Sequence, residues 1–118
     1  MIFDANHAAW IEAHAKEHLE LLLTLAKIPA PSNFEEKRAE FICNWLWECG
    51  GKDAYIDEAL NVILPLGMTD ENPLAVFAAH TDVVFPDTEE LPLRMEDGKI
   101  FCPGVGDDTA SMAALLMM

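Results

Sequence analysis

Positive charge is scarce in this sequence. Seven lysines and arginines stand against 21 acids in 118 residues, a net charge of −14. That balance argues against nucleic acid and anionic membranes as partners, since both ask a protein to bring cations. It fits a solvated acidic surface, with some acids reserved for cations. Cysteine is scarce too. Cys43, Cys49 and Cys102 are an odd, scattered set without Cys-x-x-Cys spacing, and read as reduced core or surface thiols in a cytoplasmic protein. No apolar run is long enough to span a membrane. The N-terminus, Met-Ile-Phe-Asp4, lacks the basic region and hydrophobic core of a signal peptide. Internal repeats and low-complexity linkers are absent. Apolar residues, by contrast, make up 52% of the chain, enough for a core and too many for a disordered segment. A chain of this length fits one domain or part of one, and buries roughly two thirds of its unfolded surface if it folds alone.

The most informative stretch begins at Leu74-Ala-Val-Phe-Ala-Ala-His80-Thr-Asp82. An uncharged apolar run of this kind predicts a strand over 74–79 that is buried on both faces, as in the interior of a sheet. Ligands of open α/β sheets sit beyond the carboxyl ends of such strands, where His80 falls. Alternation along an extended chain points His80 and Asp82 the same way, so one imidazole nitrogen can face a metal while the carboxylate holds the other N–H. The alternative for a His-x-Asp at a strand end is a plain hydrogen-bonded pair. A second acidic pair, Asp107-Asp108, follows Gly104-Val-Gly106. Adjacent carboxylates repel unless solvent or a cation screens them; acids are also favoured at a helix N-terminus, and Thr109-Ala-Ser-Met-Ala-Ala-Leu-Leu reads as a helix start. A phosphate loop is excluded, because the third glycine is missing and two carboxylates would repel the phosphate.

The rest of the chain frames these residues. A first helix is expected from Asp4 or Asn6 to about Lys27, with Ile11, Ala15, Leu19, Leu22 and Ala26 as its apolar face. Ile28-Pro-Ala-Pro31 stops it. Ser32-Asn-Phe-Glu35 reads as a capping box for a second helix, with Asn33 and Glu36 as the alternative register. Ala39, Ile42, Trp45, Leu46 and Cys49 form that helix's inward face, and Gly50-Gly51 its stop. Ala54–Asp57 and Val62–Leu66 read as a short edge hairpin around Glu58-Ala-Leu-Asn61, because Pro65 cannot donate to a ladder. Met68–Pro73 is a surface loop, and Pro86–Glu90 an acidic loop at the rim. Asp97-Gly98 between Leu93–Met95 and Lys99–Phe101 is a two-residue hairpin signal, which returns the chain from Asp82 to Asp107.

His80-Thr-Asp82-Val-Val, followed by Glu96-Asp-Gly-Lys-Ile-Phe-Cys-Pro-Gly-Val-Gly-Asp107-Asp108, resembles the co-catalytic zinc metallopeptidases and deacylases. That family includes carboxypeptidase G, tripeptidase T, acetylornithine deacetylase, succinyl-diaminopimelate desuccinylase and the aminoacylases. Ile28-Pro-Ala-Pro-Ser-Asn-Phe-Glu-Glu, leading into a helix ended by Gly-Gly, is similar to its N-terminal segment. The resemblance implies an α/β fold, a mixed sheet with helices on both faces, of the zinc-exopeptidase type. It implies His80 as a zinc ligand, Asp82 as the catalytic residue that orients it, Asp107 as the carboxylate bridging two metals, and a cis peptide between Asp107 and Asp108. The cofactor implied is zinc, two per complete site, with cobalt or manganese as alternatives. The reaction implied is hydrolysis of a peptide or N-acyl amino acid, and the whole protein would be a homodimer. Thr109-Ala110 replaces the Lys-Gly that often follows the acidic pair, so subfamily and substrate stay open.

The sequence stops mid-pattern at Ala113-Ala-Leu-Leu-Met-Met118 with no cap or polar tail. A truncated domain has this appearance. Residues 1–118 are thus expected to be the N-terminal part of a catalytic domain, without its lid or dimerisation domain and inactive alone. Two other readings stand beside this one. The chain could be a non-catalytic fragment or interaction module. His14-Ala-Lys-Glu17-His18 also matches the His-x-x-Glu-His pattern of inverted zincins, with His7 on the same face, although a solvated helix face accounts for that pattern as well.

Overall fold

The computed structural model describes residues 3–118. Helix α1 spans Ala5–Lys27. The Asp4 carboxylate accepts the backbone N–H groups of Asn6 and His7, and the His7 ring returns to the Asp4 N–H, so two donors orphaned at the helix start are satisfied. The helix ends at Ile28, immediately before Pro29, as expected. Its buried face differs from the expected one: Leu21, Leu25 and Ala26 are buried, while Ile11 and Leu19 are exposed. The reason is one of length, because the other helices reach only the C-terminal third of this 23-residue helix.

Helix α2 spans Glu36–Glu48 and buries Arg38, Ala39, Ile42, Cys43 and Leu46; Cys49 lies outside, exposed. Neither register of the capping box forms. Glu35 makes no side-chain cap bond, and its carboxylate accepts the Asn33 N–H instead. The Ser32 hydroxyl is engaged elsewhere, at Asp82. The Trp47 indole N–H donates to the Ala54 carbonyl at 2.8 Å, tying the helix end to the chain that follows it.

Strands β1 (Tyr55–Ile56) and β2 (Val62–Ile63) pair antiparallel. Asp57 closes their turn by accepting from Ala59 N, Asn61 N and Asn61 Nδ2, each at 2.9 Å. Strands β3 (Arg94–Glu96) and β4 (Lys99–Phe101) form the second hairpin. Asp97 and Gly98 both have positive φ, 51° and 73°, as a primed two-residue turn requires. One wide π-type turn, Val105–Thr109, leads into helix α3 (Ala110–Leu116). The turn is broken at Asp107 and Asp108, whose φ/ψ values are non-helical, and the peptide between them is cis.

Both α and β elements are present, but the described residues form two separate two-stranded hairpins rather than one mixed sheet. The interior strand expected over 74–79 does not form. Leu74, Val76 and Phe77 are 67%, 75% and 64% exposed. Among the described residues neither hairpin pairs an outer edge with this apolar segment, so its ladder has no partner. Apolar periodicity reports what a segment needs; it does not say whether a neighbour is present. The segment is anchored just past its end, where Val83 donates to the Ala30 carbonyl at 2.8 Å in an isolated parallel bridge with Pro31. The core is helical: Leu21 and Leu25 of α1, Ile42, Cys43 and Leu46 of α2, and Met112 and Ala113 of α3 pack together with Ala54.

Candidate functional site

Three segments meet beside this core: the Pro31–Ser32 turn, His80–Val83, and the turn carrying Asp107 and Asp108. His80 is central. Its Nδ1 lies 3.0 Å from Asp82 Oδ1 and its Nε2 3.0 Å from Asp107 Oδ1. The backbone N–H of His80 donates to Asp108 Oδ2 at 3.3 Å. Ser32 Oγ donates to Asp82 Oδ2, so both oxygens of that carboxylate are engaged. The His80 side chain is half exposed and that of Asp107 largely so; the cluster opens to solvent.

The charge states follow from these contacts. Asp107, accepting from the ring, raises the His80 pKa above its ordinary value; burial opposes it, and Asp82 adds to the rise. Ser32, then His80, lowers the pKa of Asp82. Asp108 is lowered by Ser111 first, and then by the His80 amide and ring. His80 therefore holds its proton more firmly in the folded chain than in the unfolded one. Its pairing stabilises the fold fully below the unfolded pKa, about 6.5, and that contribution is lost as pH rises through the raised folded value. We expect stability measured by urea unfolding to fall slightly with pH in this window, less so in high salt because the groups are exposed. His80→Gln should flatten the dependence, and an unchanged slope in that variant would exclude His80 as its source.

Two donors on one tetrahedral zinc ion, each about 2.0–2.2 Å from it, stand about 3.3–3.5 Å apart. His80 Nε2 and Asp107 Oδ1 are in hydrogen-bond contact at 3.0 Å, a few tenths of an ångström closer than that, so a slight opening of the exposed Asp107 side chain would bring them to the spacing. Asp82 on Nδ1 is the outer-shell partner that would present Nε2 as a ligand. The donor set fits zinc as part of a site. Among the described residues no group of three or more His, Cys, Asp or Glu side chains gathers to complete one. Among the described residues no such group gathers around His14, Glu17 and His18 either. His14 turns its Nδ1 to the Trp10 carbonyl at 2.8 Å and stacks on the Trp10 ring, instead of joining Glu17 and His18 around a common point.

Sequence reasoning missed the residues that hold these segments together. Arg38 is fully buried. It donates from Nη1 to the Thr81 carbonyl at 2.9 Å and to Thr109 Oγ1 at 3.2 Å, and from Nη2 to the Ile28 carbonyl at 2.7 Å. Its signal was a charged residue four positions before Ile42, on the apolar stripe of α2. Ser32 was assigned to a helix cap, and its partner 50 residues away has no local signature. Gly104, at φ 72°, lies against Val83, and its carbonyl accepts the Asp107 N–H at 3.2 Å.

No protein-family model matches the chain. Over 107 residues, 90% of its length, it is 36% identical to a proposed LysW-lysine/LysW-ornithine hydrolase of Pyrococcus abyssi. The chain spans 30% of that relative's length. No helix among the described residues is long and apolar enough to cross a membrane.

Proposed function

We propose that this chain is the N-terminal part of the catalytic domain of a zinc-dependent hydrolase of peptide or N-acyl amide bonds, of the co-catalytic metallopeptidase and deacylase type. The observation that carries this reading is the imidazole of His80 held between two carboxylates, 3.0 Å from each. Similarity to a protein named as a hydrolase supports the hydrolytic class. His80 Nε2 and Asp107 would hold the metal. Zinc, when bound, supplies a Lewis acid that polarises a carbonyl and eases deprotonation of water.

The chain's own residues do the positioning. Asp82 accepts the Nδ1 proton, so that once the Nε2 proton held by Asp107 has left, the Nε2 lone pair is the one presented to a metal. Ser32 holds the far oxygen of Asp82 and so limits rotation of that carboxylate. Asp108 accepts the His80 N–H and so ties its turn to the His80 backbone. The His80 proton must leave before a metal can bind, so affinity should rise with pH through the raised His80 pKa.

The test is a Zn²⁺ titration of the isotope-labelled chain, followed at the ring resonances of His7, His14, His18 and His80. We expect His80 to respond first and Asp107→Asn to weaken its response. A response confined to His14 and His18 would overturn the assignment.

A further inference from the structure

The geometry points to Arg38 as a positioning residue, whose guanidinium locks the His80–Asp82 segment to the turn that carries Asp107 and Asp108. The inference rests on the reading of His80 and Asp107 as a metal-binding pair. Three elements arrive at this side chain. The Thr81 carbonyl lies between His80 and Asp82, Thr109 directly follows Asp108, and the Ile28 carbonyl ends α1. One nitrogen, Nη1, spans the two site segments, while Nη2 fastens both to the end of the longest helix. Only a rigid planar fork satisfies acceptors in this arrangement; a lysine ammonium on a flexible stem reaches one or two of them.

Burying this cation is costly. Desolvation lowers the Arg38 pKa to about 10, and the Nε atom is buried without a partner. In a chain with seven cations against 21 acids, one cation is removed from solvent entirely and makes no ion pair among the described residues. A core position with no task but packing would be filled more stably by a hydrophobe. The bonds it makes explain what the cost achieves, because among the described residues no strand pairs with the segment before His80. Without Arg38 the His80 segment is held by the Val83–Ala30 bond, by the packing of Ala79 against the core and the burial of Val83, and by contacts made by the site residues themselves. Of these only the contacts of the site residues reach the turn of Asp107 and Asp108 as a hydrogen bond.

The test uses the isotope-labelled chain with Arg38→Lys, Thr109→Val and, as a control for lost stability, Leu46→Ala in the remote part of the core. Two readouts separate positioning from folding: the NOE between the His80 ring protons and the Asp107 β-protons, and the Zn²⁺ affinity read at the His80 ring, both taken where each variant is fully folded. We expect Arg38→Lys to lose the NOE and bind Zn²⁺ about tenfold more weakly, as removal of outer-shell support does. Thr109→Val should weaken the NOE, and Leu46→Ala should leave both readouts as in the parent. Arg38→Lys with the parent NOE, or Leu46→Ala with an equal loss, would overturn the inference. Should the parent chain show no Zn²⁺ response at His80, the metal reading fails by itself, and the NOE alone decides the role of Arg38.

Discussion

Gly104→Ala is expected to destabilise the chain by about 2–5 kcal/mol, a large share of the roughly 5–15 kcal/mol that holds a domain of this size together. Two independent costs add. Gly104 sits at φ 72°, a left-handed conformation that costs a residue with a Cβ about 1–2 kcal/mol. A Cβ there would also fall 2.3 Å from Val83 Cγ1 and 2.9 Å from Val83 Cβ. Val83 is only 1% exposed and its backbone is bonded to Ala30, so it cannot swing away; overpacking of this kind costs about 1–3 kcal/mol. The two are separable. Val83→Ala removes the obstructing methyl groups, so in a double-mutant cycle by urea unfolding the pair should be less destabilised than the sum of the single changes, by about 1–3 kcal/mol. The further destabilisation of the double variant relative to Val83→Ala alone is the backbone cost. Gly104→Ala with parental stability, or a cycle with no coupling, would show that the turn before Asp107 is not wedged against Val83. The consequence for the site is direct: the carbonyl of Gly104 accepts the Asp107 N–H, so whatever moves this glycine moves the carboxylate facing His80.

Local chemistry was legible in the sequence, and partnership was not. Pro29 ended α1, Asp97-Gly98 closed β3 on β4, and Gly50-Gly51 ended α2, because each acts within a few residues of itself. The meeting of His80, Asp82 and Asp107 is what the family resemblance implied and the contacts show, but it does not come about at the ends of one shared sheet. What failed depended on neighbours. The apolar segment over 74–79 carries the pattern of an interior strand, yet Val76 is 75% exposed, since a pattern states a demand and cannot supply the strands that would meet it. The apolar spacing of α1 ran its full length, whereas burial began only at Leu21. Ser32 shows the reverse failure: a strong local motif, the capping box, gave way to a carboxylate 50 residues away. A hydroxyl can serve one of two acceptors or donors well, and a charged acceptor forms the stronger bond. Arg38 was overlooked because charge on an apolar stripe reads as a solvated edge of the helix; three acceptors converging on it come from distant parts of the chain.

His80→Ala is expected to abolish zinc binding by this chain, a loss of at least about 100-fold, since removal of an outer-shell partner alone costs 10–100-fold. His80 and Asp107 are the two donors that face one another, and no third His, Cys, Asp or Glu joins them among the described residues. A catalytic zinc takes three protein ligands, so a two-donor site binds weakly to begin with and a one-donor site scarcely at all. The same count bears on turnover. Hydrolysis also needs a general base within hydrogen-bond reach of the attacking water. The carboxylates nearest the imidazole are already committed: Asp82 to Ser32 and the His80 ring, Asp108 to the His80 amide, Asp107 to Nε2. Glu35 is turned to the Asn33 amide, and neither it nor the exposed Glu89-Glu90 pair joins the cluster. The isolated 118-residue chain, loaded with Zn²⁺, is therefore expected to cleave no dipeptide and no N-acyl amino acid faster than its own His80→Ala variant. Chelator-sensitive turnover by the parent that disappears in that variant would contradict this. It would mean that a second copy of the chain, or residues placed here on the surface, supplies the missing donors and the base.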